Sequence, residues 1–303
     1  MKDLILSTQS LSYVYEDGTE ALNSVCLDVE RGKKIAVLGA NGAGKSTLFL
    51  LFIGILKPTA GHLFHRGKQV RHDAKSLFEL RKNVGYVFQD PDSQLIAATV
   101  YQEVSFGPMN LGLPHVEIKR RIGAALGATG ISGLEHKHTQ FLSYGQKKSV
   151  SIAGILAMET EVIIFDEPTA GLDPNQKLKM QSLLGSMNRD GKTIIISTHD
   201  VDFAYSWADE VVVLKNGCLI KLGNPQQVFA DRSLLDSAGL AKPWVLEISQ
   251  ALIGAGRNFD LNKQPRNKAE LLAMISGAPA QRARARTGMA DDDPTQRRYQ
   301  YGR

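Results

Sequence analysis

The 303-residue chain has only two cysteines, Cys26 and Cys218. Their separation fits no metal or redox motif, so a cysteine-built metal centre is excluded and a reducing compartment is expected. Long hydrophobic runs are missing as well. No stretch approaches the roughly 18 apolar residues that cross a bilayer, and any membrane role is expected to be peripheral. The N-terminus, MKDLILSTQSLSY, lacks the charged-then-apolar pattern of a signal peptide, so no export is expected. A basic footprint for nucleic acid is also absent. Of the formal net charge of +5, six Arg and three Asp from Gly277 onward supply +3, leaving a nearly neutral body. There is no internal repeat. Apolar residues make up 43% of the chain, an ordinary share for a globular protein with a real core.

What is present centres on residues 35–47, IAVLGANGAGKST. The apolar run Ile35–Leu38 reads as a buried strand that stops at Gly39. Gly39, Gly44, Lys45 and Ser46 then meet the pattern G-x-x-x-x-G-K-S, and Leu48, Phe49, Leu50 and Leu51 follow as a helix. That strand-loop-helix context is the one a P-loop needs. Glycines let the backbone curl until successive N–H groups of Ala40, Asn41, Gly42, Ala43 and their neighbours point at phosphate oxygens. The helix N-terminus adds partial positive charge beneath them. Lys45 is expected to reach the β- and γ-phosphates, and the Ser46 hydroxyl to sit on Mg²⁺, with Thr47 completing the loop.

Along the rest of the chain, Leu4–Val14 and Leu22–Val29 read as strands around a turn at Glu16-Asp17-Gly18. Leu63–Val70 reads as another strand, and Val84–Phe88 as a buried one ending at Gln89. From Asp90 to about Ala128 the texture is helical, broken by Pro108, Gly112 and Pro114. Leu142–Met158 opens with a glycine turn and runs into a small-residue helix. Val162–Phe165 is a buried strand ending in Asp166-Glu167-Pro168. A helix near Gln176–Asn188 precedes the strand Thr193–Ser197, which ends at Thr198-His199-Asp200. Val211–Leu214 and Leu219–Leu222 form a hairpin over Lys215-Asn216-Gly217. Polar motifs at the C-terminal ends of strands that alternate with helices describe an α/β domain with its ligand at that edge. The two N-terminal strands and the closing hairpin are expected to form an antiparallel flank. After Gly239, Ala241–Leu252 and Lys268–Ile275 read as two helices of a small appendage (240–276). Residues 277–303 read as a disordered, Arg-rich tail.

Phosphate binding alone gives no reaction. Asp166, at a strand end, can hold Mg²⁺ through its water shell. Glu167, the next residue, is placed to polarise a water attacking in line. A solvated strand end would explain one acid, but it explains poorly an acidic pair set directly after four apolar residues.

Here the chain resembles the ATP-binding-cassette ATPases. Leu142-Ser143-Tyr144-Gly145-Gln146 looks like their signature motif, upstream of Asp166-Glu167 at the family's interval. Gln89 resembles the Q-loop, Gly171-Leu172-Asp173 the D-loop and His199 the switch histidine. Tyr15 sits where the family keeps the aromatic that stacks on adenine. The likeness covers Leu4 to about Gly239. It implies a P-loop NTPase with a mostly parallel core sheet, an antiparallel β flank, a helical signature subdomain (about 90–158) and the small C-terminal helical appendage. It also implies ATP and Mg²⁺, and a head-to-tail dimer in which the phosphate loop of one subunit faces Ser143, Gly145, Gln146 and Asp173 of a second ATPase subunit. Gln89 would join metal binding to the mobile helical region, and His199 would hold the γ-phosphate. Two positions depart from the pattern. Tyr144 stands where glycine is most frequent, tolerable for an aromatic that points outward, and Ser149 stands where many members carry arginine.

Within that family, the run from Val87 to Leu95 (VFQDPDSQL) and that from Glu103 to Pro108 (EVSFGP) resemble the energy-coupling-factor importers. So do Gln146-Lys147-Lys148 and the helix end Ile152–Met158. The wording is nearest the cobalt/nickel-uptake ATPases, although vitamin-importing relatives share most of it. The implied partners are an integral membrane coupling subunit and a substrate-binding membrane subunit, at the cytoplasmic face of the cell membrane, with no nucleic acid. His62, His65, His72, His136 and His138 are read as exposed loop histidines rather than a cobalt or nickel site. A soluble cassette ATPase acting on nucleic acid, or in iron–sulfur assembly, is the alternative from another class. The missing long coiled coil and second cassette, and the Asp90–Leu95 wording, count against it.

Overall fold

The computed structural model describes residues 3–255 and 264–276. The expectation of a disordered tail over 277–303 lies outside the described residues. Contacts divide the chain into one unit ending at Ala241 and a second beginning at Lys242.

In the first unit, β1 (Leu4–Val14) is followed by β2 (Glu20–Val25), β3 (Asp28–Glu30) and β4 (Lys34–Leu38). The expected single strand 22–29 is thus two. Both pair antiparallel with β1, β3 near its start and β2 near its end. The break falls at Cys26-Leu27, where the buried Thr8 hydroxyl donates to Val25 O and accepts from Leu27 N, each at 2.9 Å. One side-chain hydroxyl therefore satisfies both backbone groups that the interrupted ladder leaves over.

After β4 the phosphate loop enters α1 (Lys45–Phe52), and then come β5 (Ala60–His65) and β6 (Lys68–Gln69). The expected strand 63–70 is a hairpin instead. Arg66 and Gly67 both take positive φ, the geometry of a two-residue turn. α2 (Ala74–Asn83), a helix that no apolar stripe announces, has one fully buried residue, Leu80, and is opened by the Asp73 side chain accepting from Ser76 N.

β7 (Val84–Val87) leads into the helical region of α3 (Val100–Asn110), α4 (His115–Ala128) and α5 (Tyr144–Ala157). Gly112 and Pro114 end and start helices as expected, but α3 runs through Pro108. That proline lies in its last turn, so little helix remains to be broken. Nor is Gly145 in a turn: the helix starts one residue earlier, with Ser143 as its cap. β8 (Val162–Phe165), α6 (Pro174–Arg189), β9 (Thr193–Ser197), α7 (Val201–Trp207), β10 (Glu210–Lys215), β11 (Cys218–Gly223), α8 (Pro225–Ala230) and α9 (Arg232–Ala238) complete the unit.

Two sheets result. A six-stranded one has the order β11-β10-β4-β9-β8-β7, parallel from β10 to β7. Strands β4, β7, β8 and β9 are buried along nearly all their length, as a sheet covered on both faces requires. A five-stranded antiparallel sheet holds β1, β2, β3, β5 and β6. The closing hairpin does not join this flank. β10 pairs parallel with β4, so the hairpin extends the main sheet. One core cluster joins the two sheets through Ile5, Leu11, Leu22, Phe49, Phe52, Ile164 and Val212, with α1 inside it. A second, formed by Val100, Val104, Ile122, Leu126, Val150 and Ala153, holds α3, α4 and α5 together.

The second unit has α10 (Trp244–Gly254) and α11 (Lys268–Ser276). α10 begins three residues later than expected, directly after Pro243.

Candidate active site

The phosphate loop leaves the C-terminal end of β4, and two glycines are forced by close approach. A Cβ on Gly39 would lie 2.3 Å from Leu214 O, and one on Gly44 would lie 2.5 Å from Ala21 O. Gly44, at φ +100°, caps α1. Lys45 is buried at the start of that helix, with Nζ donating to Gly39 O (2.7 Å) and Ala40 O (3.1 Å). Burial pushes its ammonium pKa down, against the opposing pull of Glu167 and Asp166.

The end of β8, separated from β4 by β9, supplies the acids. Asp166 Oδ2 accepts from Ser46 Oγ at 2.7 Å and from Tyr86 OH at 3.0 Å, while Oδ1 accepts from Ser197 Oγ. Tyr86 is held far above the usual phenol range by burial and by this carboxylate. Glu167 follows in a left-handed conformation, φ +46°, and its N–H donates to Ser197 Oγ (2.9 Å). Its Oε1 is buried with no donor aligned on it, and His199 Nε2 stands 3.0 Å away. Burial raises the Glu167 pKa, partly opposed by His199 and Lys45, which makes its carboxylate a stronger base than an exposed one.

One open cleft of about 350 Å³ gathers Tyr15, Asn41, Gly42, Ala43, Gly44, Lys45, Ser46, Thr47, Gln89, Asp166, Glu167 and His199. Gly39 and Ala40 do not line it, and their carbonyls hold the Lys45 amine. The Tyr15 hydroxyl lies 3.0 Å from Thr47 Oγ1, and its half-exposed ring stands edge-on to Tyr13 at the rim. For Mg²⁺ the oxygen donors fit. A hydroxyl and a carboxylate meet at Ser46 and Asp166, and the Gln89 amide lines the same cleft.

Ser143, Gly145 and Gln146 do not line this cleft. They border a separate cavity of about 450 Å³ with α6 and the end of α4. Ser149 lines it too, at the position where the resemblance expects a longer arginine. Ser143 Oγ accepts from Gln146 N (3.3 Å) and Gln146 Oε1 accepts from Ser143 N (3.1 Å), a reciprocal cap on α5. Asp173 caps α6 in the same way with Gln176. The Ser143 hydroxyl proton stays free for an outside acceptor, whereas the Gln146 oxygen is already engaged. A Cβ on Gly145 would meet Gln176 Nε2 at 2.9 Å, so the two helix starts abut there. Tyr144, 38% exposed, keeps one side of its ring in solvent and turns the other inward. Its ring would touch a Cβ on Gly171 at 3.0 Å, and its hydroxyl donates to Gln89 O at 3.3 Å.

Two residues of this region, Tyr86 and Ser197, escape a reading by motif, and Lys148, part of the Gln146-Lys147-Lys148 run, is not announced as buried. The first two leave a trace: Tyr86 is the one polar group in the strand VGYV, and Ser197 follows three isoleucines in TIIIS. Lys148 is fully buried, and desolvation pushes its pKa down to about 8. The histidines are not all loop residues. His62 and His65 lie on β5, and His65 is half-buried. Among the described residues no group of three or more His, Cys, Asp or Glu is arranged to hold a metal ion.

A phosphate loop, an acidic pair at the end of a second strand of the same sheet and a helix start displayed elsewhere define a P-loop ATPase of the ATP-binding-cassette class. The ABC transporter family model matches residues 22–170. Two curated relatives are ATP-binding proteins of energy-coupling factor transporters. EcfA of Methanocaldococcus jannaschii is 50% identical over 248 residues, covering 82% of this chain and 89% of the relative. EcfA2 of Clostridium perfringens is 47% identical over 253 residues, covering 83% and 89%. Among solved structures, CbiO1 of Clostridium perfringens, described as part of the ABC transporter complex CbiONQ, superposes with a TM-score of 0.71 at 46% identity, covering 82% of this chain and all of that one. A dimeric ATP-binding cassette in a post-hydrolysis state, bound to ADP and Pi, gives 0.66 at 26% identity, covering 73% and 98%. The chain belongs to the ATP-binding proteins of energy-coupling-factor transporters and is an ATPase.

Proposed function

We propose that this ATPase powers a membrane importer for cobalt or nickel ions by ATP-driven closure of a dimer. The observation that carries the reading is the split of the machinery. Lys45, Ser46, Asp166, Glu167 and His199 share one cleft, while Ser143 and Gly145, equally suited to an anion, border another cavity. A single chain therefore surrounds a triphosphate from one side only. A second copy or a close relative would supply Ser143 Oγ–H, the α5 N-terminus and Asp173 from the other side.

Within the closed pocket, Tyr15 would pack on the adenine ring, and the amides of 39–47 with Lys45 would bind the phosphates. Ser46, Gln89 and Asp166 would hold Mg²⁺, which screens the β- and γ-phosphate charge when bound. Glu167 takes a proton from water as the water oxygen bonds to the γ-phosphorus and the bond to the ADP oxygen breaks. His199 holds Glu167 on one side and the γ-phosphate on the other.

Support for the cargo comes from the wording at Val87–Leu95 and Gln146-Lys148 and from the likeness to CbiO1 of the CbiONQ complex. The relatives named EcfA keep a vitamin importer as the second reading. Among the described residues no helix is long and apolar enough to cross a membrane. Membrane subunits would therefore provide the path, with this chain peripheral at the cytoplasmic face.

Size-exclusion of Glu167→Gln with ATP and Mg²⁺ tests the motor. A stable dimer is expected, with turnover reduced by about 10²–10⁴-fold, the range for loss of a general base; a monomer would remove the closure model. Uptake of labelled Co²⁺, Ni²⁺ or vitamins by cells expressing the chain with its genomic neighbours identifies the cargo.

A further inference from the structure

Lys148 is 0% exposed, and among the described residues no carboxylate forms an ion pair with it, although Glu167, Asp166 and Asp90 attract it at longer range. Its Nζ donates instead to two backbone carbonyls, Glu167 O at 3.1 Å and Gln89 O at 3.4 Å. An ammonium in the interior without a contact ion pair is costly, and two neutral carbonyls with distant carboxylates offset only part of that cost, since desolvation still dominates. A Met or Leu of similar volume would fold at least as well. Retaining a lysine here therefore calls for a reason beyond packing.

The two carbonyls suggest that reason. One belongs to Glu167, whose positive φ is a strained conformation for a residue with a Cβ. Anchoring its carbonyl fixes the peptide that sets the direction of the side chain. The other belongs to Gln89. One helical turn before Lys148, Tyr144 donates to that same Gln89 carbonyl, lies against Gly171, and presents its ring 5.9 Å from the ammonium. Both residues sit on α5, the helix whose start is displayed away from the chain's own phosphate loop.

We propose that Lys148 and Tyr144 are positioning residues that tie α5 to the backbone of Gln89 and Glu167, so that whatever engages the start of α5 is registered at the same chain's hydrolytic site. The inference rests on the dimer reading above, in which the engaged group is the triphosphate held by the other subunit. The tie is then a link between the two nucleotide sites of the dimer, running through one helix. It also gives Tyr144 a task that glycine at that position cannot perform.

The test uses the full chain assembled with its membrane partners, and Lys148→Met and Tyr144→Phe. Lys148→Met is expected to lower kcat for ATP about tenfold while KM changes less than about threefold, because an interaction acting in the transition state and not on ground-state binding is lost. ATP cooperativity is expected to fall towards a Hill coefficient of 1. Tyr144→Phe, which deletes one oxygen, should lower kcat by about two- to fivefold with an unchanged melting temperature, the effect of one neutral hydrogen bond. Wild-type kcat and cooperativity in Lys148→Met would overturn the inference while leaving the motor intact. If Lys148→Met does not fold, an unchanged kcat in Tyr144→Phe overturns it alone. A wild-type complex that neither hydrolyses ATP nor, as Glu167→Gln, closes with it would instead bring down the dimer reading.

Discussion

At the level of single residues, the site is a set of polar groups oriented by neighbours that carry no motif. Asp166 has three donors: Ser46 from the phosphate loop, Tyr86 from β7 and Ser197 from β9. Only the first is visible as part of a pattern in the chain. The other two become neighbours of Asp166 because β7 and β9 flank β8 in the sheet, and pairing between distant strands is not written locally. Tyr86→Phe removes one oriented donor from a carboxylate that would steady the metal. It is expected to raise the Mg²⁺ concentration for half-maximal ATPase by about tenfold, in the range found when outer partners of metal ligands are lost. A Mg²⁺ titration of the ATPase rate checks this. Lys45 is simpler. Its ammonium is poised on Gly39 O and Ala40 O and carries the positive charge of the cradle, so Lys45→Ala should abolish most ATP affinity in a fluorescent-nucleotide titration.

At the scale of elements, existence was legible and boundaries were less so. Buried parallel strands announce themselves as apolar runs, and β4, β8 and β9 appear where IAVL, VIIF and TIIIS stand. The split between β2 and β3 was hidden because a Thr8 hydroxyl, fifteen or more residues away, repairs the break. α2 was hidden because one buried leucine makes no stripe. The β5–β6 hairpin was hidden because its turn is the charged Arg66 with Gly67 inside an otherwise strand-like run, and the hairpin half-buries His65. Its Nε2 is buried with no hydrogen-bond partner among the described residues, and burial together with Arg66 and Arg31, against Glu79, pushes the pKa down to about 4 from 6.5. The unfolded chain therefore takes up the proton first. Stability should fall as pH drops from about 6.5 to about 4, by about 1–2 kcal/mol from this one group because solvent screens its half-buried ring, and level off below. His65→Leu removes both the titration and the orphaned nitrogen. Urea melts should show it within about 1 kcal/mol of wild type at pH 7.5 and clearly more acid-resistant at pH 4.5.

Over the whole molecule, what a sequence shows best is the order of its motifs, and what it hides is which of them meet. The phosphate loop, Gln89, Asp166, Glu167 and His199 converge because β4, β7, β8 and β9 are neighbours in one sheet and release their loops at one edge. The closing hairpin went to that sheet and not to the antiparallel flank, because Val211, Val212 and Val213 match the buried face of β4 in register. Ser143 stays apart for an equally physical reason. It opens a helix packed on α3 and α4 through its own core, so its position follows that helical body rather than the sheet edge. A pocket assembled from Lys45 of one chain and Ser143 of another makes a strong prediction about mixtures. Lys45→Ala homodimers lose the cradle in both sites, and Ser143→Arg homodimers lose the opposing hydroxyl in both. A heterodimer of the two variants concentrates both lesions in one pocket and leaves the other with an intact Lys45 and an intact Ser143. Co-expression with two affinity tags, tandem purification of the mixed dimer and an ATPase assay should therefore recover hydrolysis that neither variant has alone. A site contained within one chain gives no such recovery, since every chain in the mixture then carries a lesion.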